Sequence, residues 1–128
     1  MHLLHTSIRT SDMDRTVAFY TEVMGMELVR QKAIPERNME LSFLASGGDH
    51  QIEVIRYTSQ ASYQVPQYEE RVFDHLAFEV SEVEPILAKC REAGGRVVER
   101  PFQLPGSTST YAFIQDPDGI TIELIQRA

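Results

Sequence analysis

Two histidines and two glutamates stand at matching places in the sequence: His5, Glu53, His75 and Glu123. The histidines are 70 residues apart, and so are the glutamates (5 to 75 and 53 to 123). Such a set suits a borderline divalent ion such as Ni²⁺, Co²⁺, Zn²⁺ or Mn²⁺, and the lack of thiolates disfavours a structural zinc knot or an iron–sulfur cluster. A loosely held carboxylate can leave such an ion and accept a proton, so the set predicts proton transfer beside a Lewis acid.

The same offset relates other parts of the chain, which indicates an internal duplication. It pairs Gly25 with Gly95, Phe43 with Phe113, and Ile52-Glu53-Val54 with Ile122-Glu123-Leu124. A lone histidine in a strand is more often structural than catalytic, and coincidence is the alternative for all four residues. Histidine and glutamate recur at equivalent positions of both copies while most of their neighbours differ, and this favours a shared site.

Hydrophobic periodicity predicts a β-α-β-β-β order in each copy. In the first copy we expect a helix capped by Ser11 or Asp12, and in the second a helix capped by Ser81. The repeats cover about 1–58 and 73–128 of a single domain, and residues 59–72 join them as a linker. The predicted strands are 3–9, 27–33, 40–45, 51–57, 74–80, 96–100, 110–115 and 120–126, and the predicted helices are 12–24 and 82–93.

Strand alternation predicts that the four polar candidates share the face away from the core. Glu53 lies between Ile52 and Val54, and Glu123 has equally apolar neighbours. Those apolar neighbours are expected to pack into the core behind the sheet, which leaves each carboxylate on the opposite face. If the two units curve toward each other, these faces converge.

Composition excludes several classes of protein. The 128 residues are 42% hydrophobic and 24% charged, as in an ordinary globular domain. A net charge of -7 and a pI near 5.0 disfavour nucleic acids and anionic membranes as partners, because these need a basic surface. No export signal and no run of 18 apolar residues occurs, so we expect a cytoplasmic protein without a membrane partner.

The single cysteine, Cys90, falls at a core spacing with Val83, Ile86 and Leu87. It has no cysteine partner for a disulfide within the chain. We expect a buried apolar thiol and assign it no chemistry.

Several motifs together resemble glyoxalase I, or lactoylglutathione lyase, of the vicinal oxygen chelate superfamily. The resemblance spans nearly the whole chain, and Glu53 narrows it from the superfamily to glyoxalase I. It implies an α+β fold in which paired β-α-β-β-β units form a cupped mixed sheet around a metal. The motifs are Leu3-Leu4-His5-Thr6, Phe19-Tyr20-Thr21, Met24-Gly25-Met26, Asp74-His75-Leu76-Ala77-Phe78, and Asp116-Pro117-Asp118-Gly119 running into Ile122-Glu123-Leu124-Ile125.

Carried onto this chain, the resemblance makes His5, Glu53, His75 and Glu123 the metal ligands. It implies a homodimer in which the partner chain completes each site, with Ni²⁺ or Co²⁺ favoured and Zn²⁺ also possible. The substrate would be the hemithioacetal of methylglyoxal and glutathione, and the product S-lactoylglutathione. Glu123 would move the proton between neighbouring carbons, with Glu53 as the second catalytic carboxylate.

Two further residues become candidates for binding the substrate. Arg9 matches the family's arginine that pairs with a glutathione carboxylate; the alternative is a solvated cation at a strand end. Tyr57 stands where the family commonly has asparagine, and the loop 102–109 lacks the lysine often used for the glycine carboxylate. These departures imply that glutathione is held differently or that another thiol is used.

Other functions on the same fold are an epimerase, an extradiol iron dioxygenase and a glutathione transferase acting on antibiotics. The dioxygenase needs open room for oxygen beside two histidines and one carboxylate, and Glu53 would occupy that room. The transferase usually lacks the second carboxylate. A metal-free protein that sequesters a small hydrophobic molecule is an alternative from another class, but such proteins generally lose the ligands retained here.

Overall fold

The computed structural model describes residues 1–60 and 63–128 of the chain. Its internal contacts divide the chain into two compact units, Met1–Gln64 and Val65–Ala128. Each unit contains one β-α-β-β-β set, and this confirms the predicted α+β class. Within the described residues, no helix is both long enough and apolar enough to span a membrane.

The first unit has a four-stranded mixed sheet. Its strands stand in the order β1-β4-β3-β2, with β1 parallel to β4 and the other neighbours antiparallel. A single 3₁₀ turn, Pro35–Arg37, joins β2 to β3. The elements are β1 (His5–Arg9), α1 (Met13–Ala18), a π-helical segment (Phe19–Val23), β2 (Glu27–Ile34), β3 (Met39–Ala45) and β4 (Gln51–Tyr57).

The first helix differs from the expected regular helix 12–24. Asp12 caps it as predicted, since its Oδ1 accepts a hydrogen bond from the Arg15 backbone N–H at 3.1 Å. The second half is π-helical, a form with a wider turn than the α-helix. The consecutive rings of Phe19 and Tyr20 are both fully buried there. A 3.6-residue period turns neighbours about 100° apart, and the wider turn lets both rings pack inward.

The second unit repeats the topology of the first. Its strands stand in the order β5-β8-β7-β6, with β5 parallel to β8. A 3₁₀ turn, Tyr68–Glu70, falls in the segment 59–72, where the sequence indicated no regular element. The elements are β5 (Leu76–Val80), α2 (Val83–Glu92), β6 (Arg96–Phe102), β7 (Thr110–Gln115) and β8 (Thr121–Gln126).

The start of α2 corrects one prediction. Glu82, not Ser81, is the N-cap residue, and its side chain makes no capping hydrogen bond. The Val83 backbone N–H donates instead to Oε1 of Gln126 at 2.9 Å. The end of β8 supplies an acceptor from 43 residues away, so a local cap is not needed.

Both units align their strands in the same register. Ser7 lies opposite Glu53 in the β1–β4 pair, and Ala77 lies opposite Glu123 in the β5–β8 pair. The residues on either side of each glutamate are buried, as alternation requires, and each glutamate is only partly exposed. The buried flanking residues are Ile52, Val54, Ile122 and Leu124.

Candidate metal centre

In the first unit, His5 and Glu53 form one candidate ligand pair. His5 Nε2 lies 3.7 Å from Glu53 Oε1, and the carboxylate side chain is 14% exposed. Ser7 Oγ donates a hydrogen bond to the same oxygen at 2.9 Å, because the strand register sets Ser7 opposite Glu53. One imidazole nitrogen and one fixed carboxylate thus face each other at the edge of the sheet.

In the second unit, His75 and Glu123 form the equivalent pair. His75 Nε2 lies 2.8 Å from Glu123 Oε2, and the glutamate side chain is 17% exposed. His75 Nδ1–H donates to Asp74 Oδ1 at 2.6 Å. That hydrogen bond, together with the nearby Arg71 guanidinium, holds the pKa of Asp74 below its usual value. Asp74 is a candidate functional residue that the sequence pattern did not single out, although it directly precedes His75.

An aromatic ring packs against the histidine of each pair. Phe43 meets the His5 ring edge-on at 5.8 Å between ring centroids, and Phe113 meets His75 at 5.4 Å. Each phenylalanine lies directly across from the glutamate of its pair. The 70-residue offset had identified both phenylalanines, but only strand pairing shows that they border the candidate ligands.

The donor types fit a divalent ion. Each pair offers one imidazole nitrogen and one carboxylate oxygen, the ligands that zinc, nickel and cobalt accept in proteins. Among residues 1–60 and 63–128, no group of three or more histidine, cysteine, aspartate or glutamate side chains is gathered as a metal site. The structure therefore brings the four predicted ligands together as two pairs, and their convergence on one ion stays a prediction.

Arg9 and Tyr57, the two candidate substrate residues, are in contact. The Arg9 guanidinium carbon stands 4.5 Å from the centre of the Tyr57 ring, within cation–π distance. Tyr63 donates from its hydroxyl to the Arg9 backbone carbonyl at 3.2 Å. Arg9 and Tyr57 help to line a pocket of about 260 Å³ that also includes Ser7 and Ile55. Arg9 is thus stacked on a ring within a small pocket at the end of β1.

Cys90 lies outside these groups. Its side chain is fully buried, as expected, and its thiol points toward the Gln115 carbonyl at 3.8 Å. Burial raises the pKa of this thiol to about 11. A thiol kept protonated and shielded is a poor nucleophile and a poor metal ligand.

Residues 2–124 match the family described as the Glyoxalase/Bleomycin resistance protein/Dioxygenase superfamily. The chain is 37% identical to a probable lactoylglutathione lyase of Synechocystis sp., covering 98% of this chain and 95% of that protein. It is 40% identical to a lactoylglutathione lyase of Arabidopsis thaliana, of whose length it spans only 44%.

Among solved structures, glyoxalase I of Leishmania major superposes with a TM-score of 0.80 at 31% identity. That match covers 98% of this chain and 86% of the other. Sequence profile, relatives and fold agree over nearly the whole chain, and the glyoxalase I family implies a divalent metal and a glutathione-type small-molecule substrate. The chain therefore belongs to the glyoxalase, bleomycin resistance protein and dioxygenase superfamily, and within it to the glyoxalase I family.

Proposed function

We propose that this protein is a lactoylglutathione lyase, which isomerises the methylglyoxal–glutathione hemithioacetal to S-lactoylglutathione and so detoxifies methylglyoxal. One observation carries the proposal: a chain of the glyoxalase I family places a histidine beside a glutamate at the same register in both units. Neither pair is needed for the core, because its residues remain partly exposed on the face opposite the buried strand residues.

The metal ligands in this proposal are His5, Glu53, His75 and Glu123. A divalent ion held there, with Ni²⁺ or Co²⁺ preferred over Zn²⁺, stabilises negative charge on the substrate oxygens as it develops. The chain's own contribution is to fix the donors. Ser7 holds one oxygen of Glu53, and Asp74 holds the ring of His75.

Glu123 is the proposed base. Its carboxylate takes the proton from the carbon that bears the sulfur and returns it to the neighbouring carbon. The Phe113 ring lies across the strand pair from it, and Glu123 is largely shielded from solvent. Such shielding limits exchange of the proton with water. Glu53, its counterpart in the other unit, is proposed as the second catalytic carboxylate.

Arg9 is proposed to bind a carboxylate of the thiol substrate, with Tyr57 beside it. Stacking on the Tyr57 ring occupies one face of the guanidinium and leaves its N–H edge available for a carboxylate. Tyr57 replaces the asparagine that is common in the family, so the thiol substrate need not be glutathione. The Leishmania relative is described as trypanothione-dependent, so members of this family differ in thiol.

We further propose that the protein is a cytoplasmic homodimer in which each metal site is completed by the partner chain. The support for this arrangement is the resemblance to glyoxalase I, which implies a homodimer with shared sites; the two ligand pairs belong to different units of the chain, so a partner chain could supply either pair. Measuring the mass of the metal-loaded protein in solution tests the dimer, and a monomer with full activity would contradict it.

The first test is turnover by protein loaded separately with Ni²⁺, Co²⁺ and Zn²⁺, measured on methylglyoxal adducts of several thiols. Replacing Glu123→Gln removes the base while keeping an oxygen that can still bind metal. We expect kcat to fall by about 10²-fold or more while much of the metal is retained. Glu92→Gln, at an exposed site on α2, is the matched control and should keep full activity. Full turnover by Glu123→Gln would remove the assigned base.

A further inference from the structure

His75 is held from both sides of its ring. Nδ1 lies 2.6 Å from Asp74 Oδ1, and Nε2 lies 2.8 Å from Glu123 Oε2. Both partners are carboxylates, which only accept hydrogen bonds when ionised, so a neutral ring with one proton can satisfy only one of them. The contact to Asp74 is the shorter of the two, which favours the proton on Nδ1. The Nε2 lone pair can then serve a metal ion in the position that faces Glu123.

Asp74 is in turn held by Arg71. Arg71 Nη2 lies 3.4 Å from Asp74 Oδ1, and Arg71 Nε donates to the Asp74 backbone carbonyl at 3.0 Å. The Arg71 guanidinium also stands 3.8 Å from the centre of the Tyr68 ring. The Asp74 side chain is 71% exposed. An exposed carboxylate on its own would be a weak support. Two contacts from Arg71 and the direct adjacency to His75 limit its freedom.

The first unit has no equivalent of this arrangement among its described residues. Leu4 precedes His5, so the position of Asp74 is apolar there. Instead, Ser7 holds the carboxylate of Glu53, whereas Ala77 stands at the matching place in the second unit. The first unit therefore fixes its carboxylate, and the second fixes its imidazole.

We propose that Asp74, supported by Arg71, is a positioning residue that keeps the His75 proton on Nδ1 and so makes Nε2 the metal-binding atom. The inference rests on the proposed function, because it takes His75 as a metal ligand. A carboxylate behind a ligating histidine fixes both the tautomer and the ring orientation and raises the basicity of the ligand. Of the two ligand pairs, the His75–Glu123 pair is thus the one whose imidazole is already oriented for a metal.

The test compares Asp74→Ala, Asp74→Asn and Arg71→Ala with the exposed-site control Glu92→Ala. Nitrogen-15 NMR of the histidine rings in metal-free protein, at a pH where imidazole is neutral, reports the tautomer of His75. We expect the Nδ1–H form in the wild type and its loss in Asp74→Ala. Competition with a chelator should show metal affinity falling about 10- to 100-fold in Asp74→Ala. Asp74→Asn and Arg71→Ala should lose less, and Glu92→Ala nothing.

The NMR signals also separate the two proposals. If added metal leaves the ring signals of His75 unmoved in the wild type, the ligand assignment fails and the positioning role falls with it. If the metal does move those signals while Asp74→Ala keeps both the tautomer and the affinity, only the role of Asp74 is overturned. A folded spectrum for Asp74→Ala is expected because its side chain is exposed.

Discussion

Phe43 and Phe113 each pack against one of the two ligand pairs. Each ring stands edge-on to one histidine and across the sheet from one glutamate. Their outer surroundings differ, because Arg30 stacks over Phe43 at 4.5 Å while Phe102 stacks on Phe113 with ring centroids 6.3 Å apart. The contact between phenylalanine and histidine is therefore the same in both units, whereas the residue that stacks on the phenylalanine differs.

The Cys90 thiol makes a pH-dependent contribution to stability. Its pKa rises from the ordinary 9.0 to about 11 in the folded protein because burial disfavours the thiolate. Between these values the unfolded chain loses the proton while the native protein keeps it. The contribution is therefore complete below pH 9.0 and is lost as pH rises toward about 11.

We expect the free energy of unfolding to fall more steeply with rising pH in the wild type than in Cys90→Ala. The gap between the two proteins should change by about 2 to 3 kcal/mol across this range, since one unit of pKa corresponds to about 1.4 kcal/mol. Urea unfolding at a series of alkaline pH values measures it. Parallel curves for the two proteins would show that Cys90 does not carry this effect.

The turn between β7 and β8 leads directly into β8, the strand that carries Glu123. Asp116 Oδ1 accepts hydrogen bonds from the backbone N–H groups of Asp118 and Ile120, both at 2.9 Å. Gly119 has φ +91°, and a Cβ atom built there would lie 2.7 Å from Val65 Cγ1. Glycine is needed at this point both for the backbone angle and for the close approach of Val65.

Gly119→Ala should therefore cost more stability than the same change at Gly106. Gly106 has φ +78° but open space around it, so its replacement measures backbone strain alone, about 1 kcal/mol. At Gly119 the new Cβ must also displace the Val65 side chain, and because that side chain is 48% exposed we expect a further loss of only about 1 kcal/mol, the lower end of the cost of overpacking a core. Urea unfolding of both variants gives the comparison. Equal losses would mean that Val65 moves aside without cost.

Local sequence patterns predicted the elements well where alternation is regular. The bounds of β4 and β7 agree with the prediction residue for residue, and each strand buries two alternate side chains, Ile52 and Val54 in β4 and Ala112 and Ile114 in β7. The π-helical segment and the capping of α2 by Gln126 were not predicted. The cap of α2 comes from a residue distant in sequence, and the π-helical segment accompanies the burial of two adjacent rings; a local hydrophobic period encodes neither.

At the scale of the whole molecule, the repeat offset predicted that a histidine and a glutamate would stand at equivalent places in the two units. His5 meets Glu53 and His75 meets Glu123, because strands in the same register carry them in both units. Sequence spacing could not predict whether the two pairs meet within one chain or between two chains. That depends on how the units assemble. A two-fold symmetric dimer that shared its sites would contain two equivalent ones.

A heterodimer isolated through two different tags distinguishes these arrangements. One chain carries His5→Ala and the other His75→Ala, and each variant alone should be inactive. If partner chains share sites, one site of the heterodimer keeps all four ligands, and we expect about half the kcat of the wild-type dimer. If each site forms within a chain, both sites are defective and no activity returns.

Placing both substitutions on one chain and pairing it with a wild-type chain reverses the expectation. Shared sites would then each lack one histidine, and the heterodimer should be inactive. Sites within a chain would instead leave the wild-type chain working, with about half the activity. A heterodimer of two differently tagged wild-type chains controls for the tags. Because the two experiments use the same substitutions and give opposite results, a general loss of folding cannot imitate either arrangement.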